Sequence, residues 1–103
     1  MKKNFYDISA QITNQLPTLK ITDDIIVTVD NRHKNVLCIQ GLALESEGKI
    51  TENELMDKSI AMLIGEKHAK AIEELNLPLP EYKLVYQTLL KVALGEFKDT
   101  PSK

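Results

Sequence analysis

The chain has 103 residues, 43% of them hydrophobic and 27% charged, with a formal net charge of −2 and a pI near 5.7. That length allows one domain, which buries about 65% of the surface its unfolded form exposes. The slightly acidic balance argues against a generic nucleic-acid binder, because phosphate binding needs a basic face. The longest basic cluster, Arg32-His33-Lys34, reads as a solvated helix start.

Met1-Lys2-Lys3-Asn4-Phe5-Tyr6-Asp7 has two lysines with no apolar run behind them, so no signal peptide is expected. No stretch approaches the roughly 18 apolar residues of a membrane span. A cytoplasmic protein with no membrane contact is expected. Residues 5–12 are open to two readings, a third strand or the start of a short helix. Apolar-rich runs at Thr18–Ile21 and Ile25–Val29 flank Thr22-Asp23-Asp24. Aspartate can hydrogen-bond its own backbone and accepts turn geometry, so Thr18–Asp30 reads as a β-hairpin. An isolated hairpin is marginal in water, and the helices that follow are its expected support.

After Asn31 the apolar period lengthens from about two to about 3.6. Val36, Ile39 or Gln40, and Ala43 form a stripe, with Leu37, Cys38, Leu42 and Leu44 beside it. Asp30 or Asn31 is expected to cap this helix, and Ser46-Glu47-Gly48 to end it. The lone Cys38 has no internal disulfide partner and reads as a buried small hydrophobe. Thr51-Glu52-Asn53-Glu54 is a capping box opening a helix through Leu55, Met56, Ser59, Ile60, Met62 and Leu63, which Gly65 closes. A shorter helix runs from about Glu66 to Leu75, burying Ala69, Ile72 and Leu75.

Leu77-Pro78 must be extended, since a residue before proline is pushed from the α region. Pro80 suits the first turn of a last helix. There Tyr82, Val85, Tyr86, Leu89, Leu90, Ala93, Leu94 and Phe97 form a wide apolar face that stops near Gly95. The expected fold is α+β, an N-terminal hairpin with two or three strands followed by about four short helices. Residues 1–97 read as one domain and 98–103 as a flexible tail.

Nothing in the chain assembles into an active site. His33 and His68 are far apart, the acidic pairs Asp23-Asp24 and Glu73-Glu74 are adjacent and so diverge, and the four glycines stand singly. No catalytic residue, metal ligand or cofactor is expected; a non-enzyme working by contact is. The last helix carries more apolar surface than one core contact needs. Tyr82 and Tyr86, four residues apart, pair large rings with polar tips, as interface residues do, although core-edge tyrosines look the same. Tyr82, Tyr86, Leu89 and Leu90 are the candidate partner-binding residues. Met56 and Met62 read as core.

The order of these segments resembles a known family. Leu16-Pro17-Thr18-Leu19-Lys20-Ile21-Thr22-Asp23-Asp24 followed by Val27-Thr28-Val29-Asp30-Asn31-Arg32 is similar to the opening of tail assembly chaperones from siphophages and prophages of Gram-positive bacteria. Met62-Leu63-Ile64-Gly65, then Ala69, Ile72 and Leu75-Asn76-Leu77-Pro78, is similar to their M-L-x-G…I-x-x-L-x-L segment. Glu81-Tyr82, Val85-Tyr86 and Val92-Ala93-Leu94-Gly95-Glu96 resemble their last helix. The likeness spans about residues 8–96. It implies a protein that coats the long helical tape measure protein, keeps it soluble, and gives way as tail tube protein polymerises around it. It also implies possible self-association, and a longer frameshifted form whose extension recruits tube protein, this chain being the short form. The stretch Glu45-Ser46-Glu47-Gly48-Lys49 is briefer than the acidic insert of many relatives. The alternative reading is a small phage regulatory or structural head–tail protein that also acts by protein–protein contact.

Overall fold

The computed structural model describes residues 5–45 and 48–96. A 3-10 turn (Ser9–Gln11) precedes strands β1 (Thr18–Thr22) and β2 (Ile25–Thr28). Four helices follow: α1 (His33–Glu45), α2 (Glu52–Ile64), α3 (Glu66–Glu74) and α4 (Leu79–Ala93). This is the expected α+β arrangement, with two strands and no third among the described residues. Residues 5–12 take the other course, because the Ser9 amide donates to Asp7 Oδ1 at 2.9 Å and starts a turn. The helix stop expected at Ser46-Glu47, Phe97 and the tail 98–103 lie outside the described residues.

The hairpin is antiparallel, pairing Thr18 with Thr28, Leu19 with Val27 and Lys20 with Ile26, before an irregularity between Lys20 and Thr22. Its turn is closed by threonine rather than by aspartate. Thr22 Oγ1 accepts from the amides of Ile25 at 3.1 Å and Asp24 at 3.3 Å. Strand alternation buries Val27 and, just beyond β2, Val29, while Ile26 and Thr28 stay exposed. The two valines join a core cluster with Ile60, Leu63, Ile72 and Leu89, which supplies the support an isolated hairpin lacks.

The hairpin is also tied to α2 through backbone groups. The last carbonyls of a helix have no intrahelical partner. Here the Asp30 amide donates to the Leu63 carbonyl at 2.7 Å. Asn35 Nδ2 donates to the carbonyls of Met62 at 2.8 Å and Asp30 at 2.7 Å. Asp30 itself sits ahead of α1 rather than capping it. Its carboxylate accepts from the Arg32 amide at 3.3 Å and pairs with the Arg32 guanidinium at 2.9 Å. That side-chain hydrogen bond holds the carboxyl below its usual value. Replacing Asn35 removes two bonds at once and strands partly buried carbonyls. Asn35→Ala is expected to lower stability by about 2 kcal/mol, read from the urea midpoint at unchanged m-value. Asn35→Asp should cost more, because a carboxylate cannot donate to two carbonyls.

α2 begins as expected. Thr51 Oγ1 accepts from the Glu54 amide at 3.1 Å, and Glu54 Oε1 from the Thr51 amide at 3.0 Å. Its buried face is Met56, Ser59, Ile60, Leu63 and Ile64. α3 buries only Ile72. Leu75, expected inside, is 40% exposed. The physical reason is the helix stop: Asn76 turns the chain at φ 52°, and Leu77 packs on the core in its place. Pro80 lies in the first turn of α4 as expected. α4 ends in a Schellman motif, with Gly95 at φ 76° and the Glu96 amide donating to the Lys91 carbonyl at 2.8 Å.

α2 is the shared wall of the helical part. α1, α3 and α4 each pack on it, and α3 also touches β2. Of the three, α1 has the thinnest attachment to α2, and Ile39 is its one buried residue. Cys38 is exposed rather than buried. α1 is apolar around most of its circumference, so the pattern names several faces, and the one through Val36 and Ile39 is the face that packs.

Candidate functional site

α1 and α4 lie against α2 without closing on each other, which leaves a groove of about 170 Å³. Val36, Ile39, Gln40 and Ala43 of α1 form one wall, and Tyr86 and Leu90 of α4, with Leu94 just past its end, the other. Ser59 of α2 reaches it from below. Its hydroxyl is fully buried and has no hydrogen-bond partner. A buried hydroxyl normally has one, so this atom stands out in a mostly apolar lining whose other polar side chains, Gln40 and Tyr86, are not buried.

Leu94 at the edge of the groove is 49% exposed, and elsewhere on the two helices Leu37 and Leu44 of α1 and Leu84 of α4 are at least 50% exposed. On the other side of α1 a shallower depression holds Leu37, Cys38, Leu42 and Met62, with Glu45, Lys58 and Glu66 around it. Scattered exposed leucines are ordinary. The two depressions lie on opposite faces of α1 and share no lining residue.

The four candidate residues of α4 separate. Tyr86 and Leu90 are half-buried and line the groove. Leu89 is 0% exposed and belongs to the core, so it offers a partner nothing to touch. Tyr82, one turn before Tyr86, has different neighbours: its hydroxyl donates to Asp57 Oδ1 of α2. Burial, then that bond, then the charges of Asp57 and Glu73 push its hydroxyl pKa well above the ordinary value. Tyr82 is thus a brace between α4 and α2 beside a polar cleft shared with α3. Tyr82→Phe is expected to cost about 1 kcal/mol, seen as a lowered melting temperature.

Sequence reasoning missed Ser59 as a site residue. Its signal was present: a polar residue occupies an apolar slot between Met56 and Ile60 on one face of α2.

Met56 is fully buried, as expected, and Met62 is packed against the core at its edge. Among the described residues no group of three or more His, Cys, Asp or Glu could hold a metal ion. No helix there is long and apolar enough to cross a membrane. Comparison of the chain with protein-family profiles, curated proteins and solved structures finds no match.

Proposed function

We propose that the chain is a phage tail assembly chaperone, which holds apolar helical stretches of the tape measure protein in the α1–α4 groove until tail tube protein replaces it. The observation that carries this reading is the open, largely apolar groove itself, walled by two helices with the half-exposed Leu94 at its edge. An amphipathic helix docks into such a surface through large side chains three and four residues apart. Tyr86 and Leu90 have that spacing on the receiving side. The ordered resemblance over residues 8–96 supplies the identity of the client.

The chaperone acts in the host cytoplasm, and its partners are the tape measure protein and, through recruitment, the tube protein. It acts by contact alone, without a cofactor or catalytic step. Co-expression with the tape measure protein of the same phage tests this directly. The soluble fraction of that protein should rise with the wild-type chain, and rise much less with the double substitution Tyr86→Ala and Leu90→Ala. An unchanged soluble fraction with a folded wild-type chain would overturn the reading.

A further inference from the structure

We propose that the α1–α4 groove is a pocket for one large apolar side chain of the client, about the size of a single benzene ring, and that Ala43 sets its capacity. The inference rests on the proposed function for its occupant, but the capacity of the pocket does not depend on any client.

Size decides first what the groove can hold. Sites for small-molecule ligands and cofactors have volumes of about 300–1,000 Å³, whereas this one offers about 170 Å³. An apolar cavity of about 150 Å³ takes one benzene molecule. The groove therefore has room for one leucine or phenylalanine side chain and not for a second ring. Its lining decides the chemistry. Val36, Ile39, Leu90 and Leu94 are apolar, and no lining residue is charged. A phosphate, carboxylate or ammonium group entering it would lose water and gain no partner of opposite charge.

One lining residue controls the space without holding the fold. Two alanines line the groove, Ala43 and Ala93. Ala93 is 9% exposed and belongs to the core, so enlarging it would disturb packing. Ala43 is exposed and lies one turn after Ile39 on the same face of α1. A longer side chain there takes up the pocket and leaves the core as it is. Ala43 thus fixes the largest side chain that a client helix can insert. A single bulky residue seated in such a pocket is how interfaces concentrate their binding energy.

Titration of the full chain with benzene, followed by methyl NMR, tests the capacity. The wild type should show saturable shifts confined to the methyl groups of Val36, Ile39, Ala43, Leu90 and Leu94. Ala43→Val should weaken the binding, and Ala43→Leu should weaken it about 10-fold or more, since its added carbons fill most of the space. Ala43→Leu should still melt as the wild type does, because leucine is nearly as good a helix former as alanine. Co-expressed with the tape measure protein, Ala43→Leu should keep no more of it soluble than the Tyr86→Ala and Leu90→Ala double substitution does. A wild type without saturable benzene binding overturns the inference. So does binding that Ala43→Leu leaves intact, or a tape measure protein that Ala43→Leu keeps as soluble as the wild type does. Benzene binding that appears only when Phe5 and Tyr6 are replaced by alanine assigns the pocket to the chain's own arm and also overturns it. Binding that weakens as the chain's concentration rises does the same by assigning the pocket to a second copy. Benzene binding lost in Ala43→Leu, beside a tape measure protein that the wild type leaves insoluble, upholds the pocket and overturns the proposed function alone.

Discussion

Leu89→Ala should lower the stability of the chain by about 3 kcal/mol, the middle of the range for emptying a fully buried leucine site. Leu89 is 0% exposed in the cluster that also holds Ile60, Leu63 and Ile72. A chain of this length has a total stability of roughly 5–15 kcal/mol, so the loss is a large share. It corresponds to a fall in melting temperature of about 12–24 °C, measurable by circular dichroism. Leu90→Ala, one residue on, removes a half-buried side chain from the groove wall and should cost about 1 kcal/mol. The pair is diagnostic in another way. Leu89→Ala should affect client solubility only as far as it unfolds the chain, whereas Leu90→Ala should weaken docking in a molecule that still melts normally. Equal stability losses for the two would show that α4 is rotated relative to the packing described.

Gly65→Ala should be nearly as damaging, at about 2 kcal/mol. Gly65 is the only residue between α2 and α3. Its amide donates to the Ala61 carbonyl at 2.8 Å, closing one helix, and its carbonyl accepts from the Ala69 amide at 3.0 Å, opening the next. The turn is achieved at φ 89° and ψ 155°, a region that residues with a Cβ essentially avoid. Space is not the difficulty, since an added Cβ would meet nothing within 4 Å. The backbone angle is. Gly41, inside α1, is the matched control: it also has open space but no left-handed requirement. Gly41→Ala should therefore stabilise the helix by about 0.5–1 kcal/mol. Opposite signs for the two substitutions, from chemical denaturation at constant m-value, would confirm that conformation and not volume decides.

The local grammar of this chain was legible, and its packing choices were not. Thr51 and Glu54 form the capping box their spacing requires, and Gly65 and Pro80 punctuate helices where expected. These features depend on a few neighbouring residues. What failed depended on distant ones. Leu89 and Leu90 are adjacent apolar residues on one wide face, and periodicity assigns both to it without saying which meets Leu63 and Ile72. Cys38 sits in a helix apolar on most sides, so only the position of α2 decides that Ile39 goes in and Cys38 stays out. Leu75 has the right spacing from Ile72, but Asn76 ends α3 before that position reaches the core. The groove is invisible in sequence for the same reason. It exists because α1 and α4 both lean on α2 and leave a gap over Ser59.

The thin attachment of α1 sets the ease with which that gap changes width. The helix is clamped at its beginning by Asn35 and along its length by one buried side chain, Ile39, with the half-buried Val36 beside it. Burying a side chain of that size is worth about 1.5–3 kcal/mol, well below the cost of unfolding the whole chain. Segments held this way open on their own and exchange their amide protons ahead of the rest. α1 is therefore expected to exchange its amide protons ahead of α2 and α4, which bury five and three residues. Of the two walls of the groove, the one from α4 is the more deeply anchored and the one from α1 the less.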